Sequence, residues 1–426
     1  VLRILLVTTN APVPHSRNGN AQRTTLLMQA LRSFGEVDLF IIGNEEFFEG
    51  NAYKKACEDP RFRMAGKANI RYGRRAEPWN TFSKVLPSPL GGSIAKTLAR
   101  RKGAYLADEV ARDWMVEKTH DGTYDLVVSR YLRTAMYVGL DAVRDVPVLV
   151  DVDDIDWGLL ESMLNDRPWS GIGGRIGSAM SLRLVESLCR RALGRFTYLW
   201  SASTEDAATI GMPNCVVLPN IPYPWEREGA TARPDVPQEP ARMMFIGELA
   251  WPPNSEGIDR FVERIWPRVR EACPEAVFQI VGQNMTPERR ERWGKHPGVE
   301  PVGFVDDLNE AYARATFTVA PIYQGAGTNI KVLESLAFGR TSVVSEHGLR
   351  GFQEHLRHRE SLWCAKTDEE FAEGCIELIR NPELRRSMEA QGRETIERDY
   401  SPEIFERAVA EVVEKVLPEK ARAVTA

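Results

Sequence analysis

A chain of 426 residues with 43% apolar and 27% charged side chains is longer than one ordinary domain, and a globular protein of two domains is the first expectation. No apolar run nears the ~20 residues that span a bilayer, which argues against a membrane-embedded chain. The net charge of −5 argues against a generally basic nucleic-acid binder, but it hides a local excess of positive charge.

Leu2–Thr9 is an almost continuous apolar run of the kind buried in a parallel sheet. Leu2-Arg-Ile-Leu-Leu-Val7 is too short for the apolar part of a signal peptide and reads better as a first strand. A loop carrying Arg17 and Gly19 follows, then a helix from about Ala21 to Phe34 that includes Arg23, then a strand at Glu36–Ile42. Ligands of doubly wound sheets bind at the carboxyl ends of strands, where the Gly19 loop falls. The loop lacks G-x-G-x-x-G, so it does not predict a usual dinucleotide pocket.

Residues 61–105 hold eleven Lys and Arg against the single acid Glu77, interleaved with Trp79, Phe82 and Leu86. Apart from a merely solvated basic face, the readings in order are an anionic membrane surface, an acidic acceptor and nucleic acid. No nucleic-acid motif accompanies the charge, so no nucleic-acid partner is expected. Strand and helix then alternate again: Asp125–Ser129, Leu132–Val143 and Val146–Val150, which runs into Asp151-Val-Asp-Asp-Ile-Asp156. Four carboxylates at a strand end could hold a metal, do acid–base work or orient loops, and their repulsion calls for nearby cations. Arg175–Arg195 reads as a basic amphipathic helix, followed by short strands at Thr197–Ser201 and Val216–Leu218.

Five prolines between Pro222 and Pro240 mark a linker. Residues 1–221 form the expected first domain, 222–240 the linker and 241–400 the second, with a helix in 401–426 expected to return to the first. The second domain repeats the alternation, with strands at Met243–Ile246, Val277–Val281, Val299–Val302, Phe317–Ala320, Ser342–Ser345 and Leu362–Cys364. Helical crossovers between short apolar strands predict an α/β class with parallel sheets. Six scattered cysteines without C-x-x-C suit reduced thiols in the cytoplasm, and the lone His355/His358 spacing lacks further ligands, so no metal is expected.

Within the second domain, Gly325-Ala-Gly-Thr-Asn-Ile-Lys331 joins a strand to a helix that ends at Gly339. Thr328 is the expected N-cap, and the glycines let backbone N–H groups approach a ligand. Lys331 sits in the first helical turn, where a cation faces the positive end of the helix dipole. Two readings stand: a phosphate on the N–H groups held by Lys331, or a plain i,i+3 ion pair with Glu334. Two doubly wound domains would leave a cleft, with Gly19, its arginines and Asp151–Asp154 on one wall and Gly247, Gly282 and the Gly325–Glu334 unit on the other.

Together these stretches resemble the retaining glycosyltransferases of family 4, which have the two-domain GT-B fold. The resemblance is carried by Phe245-Ile-Gly-Glu-Leu-Ala-Trp-Pro-Pro-Asn254, Phe278-Gln-Ile-Val-Gly282, Val302-Gly-Phe-Val305, Gly325–Gly339, Thr341-Ser-Val-Val-Ser345 and Gly348-Leu-Arg-Gly351, with Pro14…Gly19…Arg23 and Leu218-Pro-Asn220 in the first half. It implies a metal-independent retaining transfer of a hexose-type sugar from a nucleotide-diphosphate-sugar to a glycan or lipid-linked acceptor, as in cell-surface polysaccharide or glycolipid synthesis. Glu334 matches the second glutamate of the E-x7-E signature, which holds the ribose, and Lys331 lies beside the diphosphate. The implied donor set is Gly19, Arg23, Gly247, Asn254, Gly282, Gly325, Ala326, Gly327, Thr328, Asn329, Lys331 and Glu334. Arg17, Asp151 and Asp154 fall on the acceptor side, and Lys331 and Asp153 are the groups nearest the chemistry.

Three positions depart from the family pattern. Ala326 replaces the first glutamate, Gly247-Glu-Leu replaces the usual Gly-Arg, and Asp153 stands where many members carry His-Asp. A subset with G-x-G-T-x-x-K-x-L-E shares the first two. The alternatives are an epimerase or hydrolase acting on the same donors, and a silent binder of glycans or nucleotides. No cofactor beyond the donor is expected, and the location expected is the cytoplasm, with the basic stretch on the inner membrane face.

Overall fold

A computed structural model describes residues 1–12, 19–59, 62–69, 109–153, 155, 157–158, 161, 171–222, 240–325 and 327–418. Arg17, Asp154, Ala326, most of the basic 61–105 stretch and most of the 222–240 linker lie outside these residues. The chain divides into two compact units, Val1–Pro219 with Phe405–Ala426, and Asn220–Ile404.

The first unit is built on seven strands, β1 (Leu2–Thr8), β2 (Gly35–Gly43), β3 (Arg63–Asn69), β4 (Leu126–Arg130), β5 (Val148–Asp153), β6 (Tyr198–Ser201) and β7 (Cys215–Val217). They pair in parallel in the order 3-2-1-4-5-6-7. Burial on both faces explains the unbroken apolar runs of β1 and β4, and Leu5, Val7, Val127 and Val150 are all wholly buried. The Gly171–Leu193 helix is amphipathic as expected, with Val185, Cys189 and Leu193 in the core and Arg183 and Arg191 exposed.

Two sequence readings change here. Arg63–Asn69 is an edge strand rather than part of a basic insertion; Arg63 pairs with Asp38 and Glu36, and Lys67 lies 5.0 Å over the Phe48 ring. Charged side chains are a usual device on sheet edges. The helix expected to run to Val143 stops at Tyr137, because Gly139 turns left-handed (φ 75°) before a short 3-10 turn at Leu140–Ala142.

The second unit has six parallel strands, β8 (Arg242–Ile246), β9 (Val277–Val281), β10 (Val299–Gly303), β11 (Phe317–Ala320), β12 (Ser342–Ser345) and β13 (Trp363–Ala365), in the order 10-9-8-11-12-13. Counted within the unit this is 3-2-1-4-5-6, the dinucleotide-fold order. Phe261, Trp266, Phe278 and Phe371 form an aromatic cluster, while Tyr312 stacks on Phe338 at 4.2 Å beside Met244 and Ile246. The helical run from Pro252 to Ala272 contains a π turn at Phe261–Ile265 just before Pro267, which has no N–H to give the preceding turn.

In both sheets the strand order reverses once, between β1 and β4 and between β8 and β11. Such a reversal point is where open α/β sheets bind ligands.

Candidate functional site

At the reversal point of the first unit the chain buries four charges. Arg23 lies in the Gly19–Arg32 helix after β1, Arg130 ends β4, and Asp151 and Asp153 lie within β5, which extends three residues beyond the sequence-based strand end. The Arg23 guanidinium makes a fork to Asp151 at 2.9 and 2.7 Å and donates to the carbonyls of Leu218 and Pro219 at 3.0 and 3.2 Å. Arg130 donates to Asp153 at 2.5 Å and to the Tyr131 hydroxyl at 2.9 Å. All four residues are buried, Arg130 and Asp151 completely.

Burial alone pushes the Asp151 carboxyl up; Arg23 and then Arg130 outweigh that and hold it below its ordinary range. Arg23 and Asp151, expected on the donor and acceptor sides, are therefore spent on each other and tie the helix after β1 to β5 and to the end of the unit's last strand. Tyr131 (φ 67°) and Asp153 (φ 54°) are both left-handed, a conformation that a bulky tyrosine adopts only when its surroundings impose it. Arg130 was missed in the sequence, although an arginine in line with an apolar strand was the counter-charge that the Asp cluster required. Gly19 opens its helix and is half-buried.

The reversal point of the second unit is arranged differently. Lys331 leaves the first turn of the Ile330–Ala337 helix, and its Nζ donates to Asn254 Oδ1 at 2.5 Å and lies 4.8 Å over the Phe245 ring. Asn254 is fixed by donating to the Glu248 carbonyl at 2.8 Å. A side chain at Gly247 would come within 3.3 Å of the Lys331 ammonium, so a glycine there leaves the lysine its place. At Gly282 a Cβ would lie 1.8 Å from the Gly247 carbonyl, so that glycine lets two loops cross. Burial pushes the Lys331 ammonium down to about 7, against the pull of the Glu334 carboxylate.

Gly325 (φ 112°) and Gly327 (φ 77°) make the preceding turn. Among the described residues, the backbone N–H groups of Gly327, Thr328 and Asn329 make no hydrogen bond. Thr328 is not the N-cap: Asn329 holds that position without a side-chain cap bond, and the Thr328 hydroxyl accepts from Asn220 at 2.8 Å. Glu334 is half-buried one turn beyond Lys331 and acts on the buried Tyr312 hydroxyl, whose pKa burial and that carboxylate raise well above the ordinary value. The expected residues Gly247, Asn254, Gly325, Gly327, Lys331 and Glu334 thus come together at one edge. Phe245 beneath the ammonium carries no sequence signal beyond being apolar in a strand. Glu248, at the departure from Gly-Arg, turns away to Asn284, which donates to it at 3.0 and 3.1 Å.

A half-buried cation whose nearest partners are neutral, beside N–H donors that make no hydrogen bond among the described residues, is an arrangement that attracts an anion. The segment 240–381, which contains all of it, matches the protein family described as Glycosyl transferases group 1. The chain is also similar to solved structures. Sucrose-phosphate synthase from Thermosynechococcus elongatus superposes with a TM-score of 0.65 at 14% identity, over 98% of this chain and 99% of that one. A glycosyltransferase from Rickettsia africae gives 0.64 at 12%, over 98% and 99%. Anabaena HepE in complex with UDP gives 0.63 at 12%, over 97% and 100%.

The fold is GT-B.

At these identities the likeness is one of architecture, and it agrees with two parallel sheets whose strands alternate with helices. No curated protein matches the chain.

Proposed function

We propose that this protein transfers a sugar from a nucleotide-diphosphate-sugar to a glycan or lipid-linked acceptor, with retention of configuration and without a metal. The observation that carries the reading is the half-buried Lys331 ammonium, held against Asn254 and Phe245 next to N–H groups of Gly327–Asn329 that make no hydrogen bond among the described residues. It lies in the segment matching group 1 glycosyl transferases. A diphosphate supplies the missing negative charge, and as the leaving group develops charge the fixed ammonium and N–H dipoles stabilise it. Glu334 then receives the ribose hydroxyls. The donor class is further supported by structural neighbours solved with UDP and UDP-glucose, and by one solved with UDP and glycan-type compounds.

On this reading Asp153, half of an internal ion pair with Arg130, orients the edge of the first sheet rather than acting as a base. The basic sequence at 61–105 is proposed to meet an anionic membrane surface from the cytoplasmic side, and salt-sensitive binding to anionic vesicles tests that attachment. A thermal-shift panel of nucleotide-diphosphate-sugars tests the donor reading, because a ligand of the native state raises the melting temperature by mass action. One or more members are expected to stabilise the protein, with Glu334→Ala weakening the effect by about tenfold in affinity. A panel without any shift contradicts the reading, and donor turnover in the absence of acceptor assigns an epimerase or hydrolase instead.

A further inference from the structure

The turn before the Lys331 helix is braced from one side by the segment that follows β12. Ser345, the last residue of that strand, donates through its hydroxyl to the Ile322 carbonyl and accepts from the Gly348 N–H at 3.0 Å. Asn329 donates to the Gly348 carbonyl at 3.2 Å. His347 reaches further than either, and its Nε2 meets the Gly325 carbonyl at 3.1 Å. A carbonyl can only accept, so Nε2 carries a proton, which both the Nε2–H tautomer and the imidazolium provide.

Two glycines at positive φ give this turn a large choice of conformations in isolation. Its free N–H groups are useful to an anion only if they already point the right way, since ordering them on binding would cost affinity. The contacts from Ser345, His347 and Asn329 are spread over the start, middle and end of the turn. That of His347 falls on a glycine. Burial of the catalytic-edge groups does not depend on His347, because Lys331 and Asn254 are held from β8 and its loop.

We infer that His347 is a positioning residue: its Nε2–H holds the Gly325 carbonyl and so sets the direction of the Gly327, Thr328 and Asn329 N–H groups toward the ligand. The inference rests on the donor-site reading for its consequence in binding, but its structural part stands apart from it. Glutamine can place an amide N–H near the Nε2 position, whereas alanine cannot.

Hydrogen exchange of the peptide spanning 321–329 in the ligand-free protein, followed by mass spectrometry, tests the brace directly. His347→Ala is expected to exchange this peptide about fivefold faster, the loss of one ordinary hydrogen bond, with the melting temperature nearly unchanged. His347→Gln is expected to recover most of the protection. In calorimetric titrations His347→Ala should weaken the affinity for a bare nucleoside diphosphate about fivefold, with the same rescue by Gln. Unchanged exchange at 321–329 in His347→Ala overturns the inference. If the peptide loosens but no nucleotide binds the native protein, the donor reading fails and the brace survives. A equal loss of protection throughout the second unit, not repaired by Gln, reduces His347 to a general packing residue and also overturns it.

Discussion

The two sheets share a strand order and each gathers charge at the point where that order reverses, yet the two charge clusters differ in kind. In the first unit Arg23 and Arg130 face Asp151 and Asp153, so four buried charges cancel. In the second unit the Lys331 ammonium has an amide oxygen and a ring face for its nearest partners, with Glu334 acting from a turn away. A neutralised cluster holds strand ends together without leaving a net charge. An under-compensated one stores a desolvation cost that an incoming anion relieves. Position at a sheet edge is common to both clusters; the under-compensated charge is what makes the second the proposed donor site.

The largest expected effect is on the neutralised side. Arg130→Met leaves Asp153 buried with the more distant Arg23, at 3.8 Å, as counter-charge and is expected to destabilise the first unit by about 3–5 kcal/mol in denaturant unfolding. Nucleotide affinity of the folded variant should stay within a factor of about two. Adding Asp153→Asn should recover part of the loss, and if it does not, the two residues are not acting as a pair.

A smaller effect concerns pH. The free Lys331 ammonium titrates near 7 and its charged form is the one that binds an anion, while the bound anion raises its pKa. Affinity for a nucleoside diphosphate should be full below pH 7. Above it, affinity should fall by up to tenfold per pH unit until the raised pKa of the complex is reached. Lys331→Arg, which stays charged, should remove this slope, and calorimetry at pH 6 to 9 measures both.

A further effect is a stability difference that changes with pH. The folded-state pKa of Lys331 lies below its unfolded value, so between pH 7 and about 10 the unfolded chain binds more protons and wild-type stability rises with pH. Lys331→Met should consequently be more stable than wild type at pH 7, with the gap closing as pH approaches 10. A gap that is constant across this range would mean that the ammonium is well solvated in the native protein.

The sequence made the strands legible because both sheets are covered on two faces and their strands are near-continuous apolar runs. Arg63–Asn69 escaped because an edge strand of arginine, lysine, glycine and asparagine reads as loop, and the early stop at Tyr137 depends on one left-handed glycine. Lys331 could be singled out locally, as a cation at the wrong end of a helix dipole. Asn254, 77 positions away, entered the donor set only through the family resemblance, since no periodicity links it to the lysine. The carboxylates of Asp151 and Asp153 were visible as a cluster in need of cations. Which cations met them is decided only by the crossing of β1, β4 and β5. His347 had no local signal, because its role lies in one hydrogen bond across 22 residues.

Calorimetric titration of a nucleoside diphosphate into the wild-type protein and into Lys331→Ala at pH 6.5 addresses the unmet charge most directly. The arrangement of Lys331, Asn254 and the Gly327–Asn329 N–H groups predicts a loss of about 10- to 100-fold in the variant, the weight of a charge-assisted hydrogen bond, with no loss of melting temperature. Equal affinity in the two proteins would contradict a diphosphate at this edge.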